Sequence, residues 1–151
     1  MKNRNVRSMH QLFFPYFLIL ALCLTATCCS IALISGYDEV TDNAVTQLQR
    51  KVDTFLIEIQ RNVATNEAGY EKNAQFYDQV RVDIDAIRVR AEAREKNEIT
   101  VKQLKILQES VDTLEKLHKL GFNKPEELEP LRQAFDTSFT AILKLELAKK
   151  R

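Results

Sequence analysis

The stretch TVKQLKILQESVDTLEKLHKLG, from Thr100 to Gly121, decides the fold of this 151-residue chain. Its apolar residues recur every three or four positions, the spacing that places side chains on one face of an α-helix. The stripe consists of Leu104, Leu107, Val111, Leu114 and either Leu117 or His118. Thr100 followed by Gln103 fits a capping box, and Gly121 fits the left-handed residue that often ends a helix. The stretch therefore predicts an amphipathic helix whose apolar face needs a partner.

Three further stripes with the same spacing flank this helix. The first helix is predicted to begin near Asp42 and to end between Asn62 and Asn66, and the second to lie within residues 70–95. The last follows Pro125, and Pro130 is expected to bend or restart it. Their apolar positions are Val45, Leu48, Val52, Phe55, Leu56, Ile59 and Val63; Tyr77, Val80, Ile84, Ile87 and Ala91; and Leu128, Leu131, Phe135, Phe139, Ile142 and Leu143 or Leu145.

One segment of the second predicted helix also has the residue pattern of a β-strand. In VRVDIDAIRV, residues 80–89, apolar and polar residues alternate over several positions. We predict a helix because the spacing of three and four continues on both sides and no Gly or Pro bounds the run.

The composition also favours helices. The chain has only three Gly, three Pro and no Trp, the usage of long helices and not of turn-rich β-proteins. Four amphipathic helices joined by short links can bury their stripes only against one another. We therefore predict an all-α fold, an antiparallel up-down four-helix bundle over residues 42–151, preceded by an N-terminal apolar signal or anchor helix.

The N-terminus has the features of an export signal. The basic, acid-free segment MKNRNVRSMHQ precedes the apolar run LFFPYFLILALCL, and apolar character continues to Ile34. Residues 12–34 are long enough to cross a hydrocarbon core of about 30 Å. We predict a signal peptide or membrane anchor over residues 1–27 and a linker over residues 28–41. The positive-inside rule then places the bundle outside the cytoplasm.

Charge and cysteine content restrict the class of protein. Residues 30–151 contain 19 basic and 21 acidic side chains, so this part has no basic bias suited to nucleic acid. Cys23, Cys28 and Cys29 all precede it, so the predicted bundle has no internal disulfide.

The residues LTATC before and at Cys28 resemble the bacterial lipoprotein signal, in which small residues precede a cysteine that becomes the lipidated N-terminus. The resemblance implies lipidation at Cys28, with Cys29 as the alternative. It also implies the outer membrane, because Ser30 and not Asp lies two positions after Cys28. An uncleaved span in the inner membrane and ordinary secretory cleavage remain alternatives. In each case the bundle is expected to face the periplasm.

Three phrases, GYDEVTDNAV, FYDQVRVDIDAIRVRA and DTSFTAILKLELAKK, resemble a set of small bacterial lipoproteins of unassigned function. This similarity covers most of residues 35–150. It implies an exported, anchored body and no catalytic residue.

The candidate chemical groups are few. Glu115 and His118 have the Glu-x-x-His spacing of di-iron bundles, but a full site needs a second such motif and further glutamates. We expect Glu115 to pair with Lys119 and His118 to end the apolar stripe with its nitrogens solvated. Asp83 and Asp85 are expected on different, solvated helix faces, and RVRAEAREK, residues 88–96, on a surface of interleaved charges.

The sequence therefore predicts no enzyme, cofactor or metal. It favours a membrane-anchored envelope protein with a structural or protein-interaction role and a protein partner of unknown identity. The alternative is a bundle that binds a small apolar ligand or a metal in its core.

Overall fold

The computed structural model describes residues 33–150, which form four α-helices. The helices are α1 (Glu39–Arg61), α2 (Tyr70–Glu92), α3 (Glu98–Leu120) and α4 (Glu129–Ala148). Short 3₁₀ turns at Asn66–Ala68 and Pro125–Leu128 precede α2 and α4, and residues 33–150 contain no strand. The prediction of an all-α fold is confirmed for this part of the chain. The predicted signal or anchor at residues 1–27, and the cysteines Cys28 and Cys29, lie outside it.

The four helices form a bundle in which each helix packs on the next and α1 also packs on α4. Asp38, at the start of α1, pairs with Arg90 near the end of α2. Thr100, in the first turn of α3, bonds to Glu146 in the last turn of α4. These contacts join the start of one helix to the end of its neighbour.

The core consists of the predicted stripes. Side chains from all four helices form one apolar cluster, with Val45, Val52, Leu56, Tyr77, Val80, Leu104, Leu107, Phe139 and Ile142 fully inaccessible to solvent. Residues 80–89 are helical, so the helix prediction there is confirmed over the strand alternative. No helix in the described part is long and apolar enough to cross a membrane.

The capping box predicted at the start of α3 is wrong. The helix begins at Glu98 with Asn97 in the N-cap position, and no side chain caps it. Thr100 lies inside the first turn, fully buried, and its hydroxyl donates to Glu146 at 2.8 Å. A carboxylate from another helix is therefore the partner of Thr100, and not the amide of Gln103.

Other helix ends agree with the sequence more closely. Gly121 ends α3 with a φ of 85°, the positive value that favours glycine. Pro130 lies in the first turn of α4, directly after the 3₁₀ turn, so the helix restarts there as expected. The start of α1 is Glu39, earlier than the predicted Asp42.

The stripe of α4 ends differently from the prediction. Neither Leu143 nor Leu145 is fully buried, and Glu146 occupies the next core position. In α3 the stripe ends at His118, which is buried, while Leu117 is exposed.

Candidate functional site

One end of the bundle contains a buried polar network, which we call the tether cluster. Its members come from the segment before α1, the α2–α3 corner, α3 and the end of α4, and all are buried: Ser35, Asn97, Thr100, Glu146 and Lys149.

Lys149 lies at the centre of the tether cluster. Its ammonium nitrogen donates to Asn97 Oδ1 at 2.6 Å, to Thr100 Oγ1 at 2.8 Å and to Glu146 Oε1 at 2.5 Å. An ammonium group has three donors, so all of them are used. The charges of Lys149 and Glu146 neutralise each other, which is what allows both to be buried.

Asn97 connects this ion pair to the N-terminal segment. Ser35 Oγ donates to Asn97 Oδ1 at 2.9 Å, and Asn97 Nδ2 donates to the carbonyl oxygen of Ala91 at 3.0 Å. The backbone amide of Ser35 also donates to the carbonyl oxygen of Lys96 at 2.9 Å. Ser35 is therefore held through both its backbone and its side chain.

A second set of contacts holds the residues that follow Ser35. Arg90 donates to both carboxylate oxygens of Asp38, at 2.6 and 2.8 Å, and this pairing lowers the pKa of Asp38. Arg94 donates to the carbonyl oxygen of Gly36 at 3.0 Å. Within the predicted linker 28–41, the part from Ser35 onward is thus bound to the bundle.

His118 lies at the opposite end of the bundle, and the expectation that its nitrogens are solvated is wrong. The side chain is buried, with Nε2 2.7 Å from the carbonyl oxygen of Ala68 and Nδ1 2.7 Å from the hydroxyl of Tyr77. A carbonyl can only accept, so Nε2 donates to Ala68, and Nδ1 shares the second hydrogen bond with the Tyr77 hydroxyl. Burial raises the pKa of Tyr77. Both ring nitrogens of His118 are therefore used in hydrogen bonds within the bundle.

Glu115 also serves contacts within the protein. Its carboxylate accepts from Tyr70 at 2.7 Å and pairs with Arg81, and Lys119 lies 3.0 Å from it, which confirms the predicted Glu115–Lys119 pair. Arg81 is the main reason that the pKa of Glu115 falls to about 2. Residues 33–150 contain no group of three or more potential metal ligands, and the structure does not add ligands to Glu115 and His118.

The two aspartates of α2 have different partners. Asp83 pairs with Lys51 of α1, whereas Asp85 pairs with Arg88 of its own helix. Arg88 also contacts Glu92 at 2.8 Å. The predicted separation of Asp83 and Asp85 and the interleaved charges after Arg88 are both observed.

The aromatic residues that could have lined a ligand pocket pack on one another. Phe55 stacks on Phe76 with ring centroids 3.6 Å apart, and Tyr77 lies edge-on to both. A pocket of about 780 Å³ near His118 is open to solvent and is lined partly by Tyr70 and Lys119, which are already bound to Glu115. These contacts give the aromatic group a role in packing.

Sequence analysis missed the ion pair of the tether cluster. A signal was present, because Phe135, Phe139, Ile142, Glu146 and Lys149 continue one spacing of four and three. Two charged residues in core register predict a buried pair.

Comparison of the chain with protein families, with curated proteins and with solved structures found no match.

Proposed function

We propose that this chain is an exported, membrane-tethered helical bundle of the bacterial cell envelope with a structural or protein-interaction role. The observation that carries the proposal is the acid-free basic leader followed by the apolar run 12–34, which ends directly before Ser35. Such a leader is the pattern of an export signal or anchor. The bundle then faces the periplasm in an antiparallel up-down arrangement.

The polar groups of the bundle support a binding or structural role. The buried ones that a reaction could use, His118 and Lys149, have every donor and acceptor engaged by protein atoms. Glu115 is held as an ionised carboxylate by Arg81, so it is not a proton donor at neutral pH. A general acid or base needs a group that is free to exchange a proton with a substrate. We therefore propose no enzymatic activity.

The partner is proposed to be another envelope protein that contacts the charged outer faces of the helices. Crosslinking in intact cells, followed by purification of the full chain, is expected to yield a reproducible adduct of one defined mass. A matched sample carries Arg88→Glu, which reverses a charge on the outer face of α2. The yield of the adduct is expected to depend on surface charges of this kind. Adducts that vary between preparations, or that do not depend on any surface charge, would contradict an interaction role.

The tether is proposed to be lipid attached at Cys28. Cleavage before Cys28 leaves SIALIS, with too few apolar residues to complete a span. Several acyl chains hold a protein stably on a membrane, since each buried methylene contributes about 0.8 kcal/mol. An uncleaved inner-membrane span is the alternative.

Labelling with palmitate tests the attachment site. Cys28→Ser is expected to abolish incorporation and to leave an unprocessed precursor that remains on the membrane through residues 12–34. Cys29→Ser is the matched control and is expected to keep the label. Label retained in Cys28→Ser but lost in Cys29→Ser would move the site by one residue. An unlabelled parent chain whose intact mass equals that of the whole sequence would establish the span instead.

A further inference from the structure

Only a short segment connects the proposed anchor to the bundle. Ser35 is fixed by hydrogen bonds to Lys96 and Asn97, and the apolar run ends at its neighbour Ile34. If the apolar run spans the bilayer uncleaved, Leu33 and Ile34, which lie in a bend, connect it to Ser35, and the three steps from Ala32 to Ser35 reach at most about 11 Å. If Cys28 carries the lipid, the seven residue-to-residue steps from Cys28 to Ser35 reach at most about 25 Å when the backbone is fully extended. The end of the bundle that holds Ser35 must therefore lie close to the membrane.

This same end carries exposed apolar side chains from every helix. We call the set the apolar rim; it comprises Leu33, Val40, Val89, Ile99 and Leu147. Each of the four helices contributes one member from the terminal turn at this end. These four side chains are between 51% and 54% exposed, although they are large and branched. Exposed apolar groups gathered at one end of a bundle are typical of an interaction surface.

The charges around the apolar rim are mixed, with a small acidic excess. The chain segments and terminal turns at this end, residues 33–42, 89–101 and 145–150, contain seven acidic and five basic side chains, and Asp38–Arg90 and Glu146–Lys149 are paired among them. Such a surface is not repelled by a neutral lipid surface and has no basic excess that would attract anionic lipid. Apolar contact is therefore the interaction that this surface can offer to a bilayer.

We infer that the apolar rim rests on the lipid bilayer, with its side chains at the boundary between headgroups and acyl chains. This inference rests on the proposed membrane anchoring and adds the orientation of the bundle. The tether cluster decides which end faces the membrane, because it holds Ser35 at the α2–α3 corner and joins that corner to Lys149 at the end of α4. The helix axes then point away from the membrane, and the turns next to His118 lie about 30 Å farther out, given the rise of about 1.5 Å per residue along α3.

Tryptophan fluorescence of the full chain in vesicles tests this orientation. The sequence contains no Trp, so a single introduced Trp is a unique probe. Ile99→Trp and Leu147→Trp place the probe on the apolar rim, and Leu120→Trp is the control at the far end of α3, where the native side chain is 82% exposed. The vesicles contain phosphatidylcholine, either unmodified or brominated on its acyl chains. All three positions are on the surface, so the fold is expected to tolerate each substitution.

We expect brominated lipid to remove about half of the emission of the rim probes, because interfacial side chains lie about 5–10 Å deep, and to leave Leu120→Trp unchanged. Equal quenching at the three positions, in vesicles that carry the chain, would overturn the inference but not the anchoring. A blue-shifted rim probe that brominated lipid does not quench would assign the rim to a protein contact and also overturn it. A chain that fails to float with the vesicles would overturn both the inference and the proposed anchoring.

Discussion

Replacing Lys149 with Met is expected to lower the free energy of unfolding by about 3–5 kcal/mol, the effect of removing one partner from a buried ion pair. The substitution leaves the Glu146 carboxylate, which is 1% exposed, with only the Thr100 hydroxyl as a partner. It also removes a donor from Asn97, which binds Ser35. Urea unfolding of the full chain in detergent micelles, followed by far-ultraviolet circular dichroism, measures the change.

Two further variants test whether the loss of the buried ion pair is what lowers the free energy of unfolding. Lys144→Met removes an exposed lysine from the same helix and is expected to change the free energy of unfolding by less than about 0.5 kcal/mol. The double variant Glu146→Leu/Lys149→Met removes both charges and should recover most of the loss, since apolar replacement of a buried pair is often neutral or stabilising. If Lys149→Met unfolds at the same urea concentration as Lys144→Met, the buried ion pair does not stabilise the bundle.

The helices and their inner faces could be predicted from the sequence, because the spacing of apolar residues is a local property of the chain. The spacing of Leu104, Leu107, Val111 and Leu114 requires a helix with one apolar face, whatever surrounds it. Gly121 and Pro130 act on their own backbone, so their effects could also be predicted.

The tether cluster could not be predicted in this way because its bonds join residues that are distant in sequence. Thr100 and Glu146 are 46 positions apart, and Ser35 and Asn97 are 62 apart. Thr100 satisfies a local capping pattern in the sequence, yet a carboxylate on another helix is its partner. The hydrogen bonds of His118 could not be predicted for the same reason, since the carbonyl of Ala68 and the hydroxyl of Tyr77 reach its ring only in the folded bundle.

The two polar groups lie at opposite ends of the bundle. The tether cluster holds Ser35 at the α2–α3 corner and joins that corner to Lys149 at the end of α4. The His118 group secures the opposite end through the turn before α2. The apolar core lies between these ends, and its burial is expected to supply most of the stability of the bundle.

Leu114→Ala tests that contribution and is expected to cost about 2–5 kcal/mol of the free energy of unfolding. Leu114 is 1% exposed and belongs to the core cluster, so truncation removes buried apolar contacts and leaves a cavity that neighbouring helices can fill only in part. Leu117→Ala is the matched control, because Leu117 is one turn later in α3 but 40% exposed. Its cost should stay below about 1 kcal/mol, since an exposed leucine gains little from burial. Urea unfolding of both variants beside the parent chain measures the difference, and equal midpoints for Leu114→Ala and the parent would show that the stripe of α3 does not form the core.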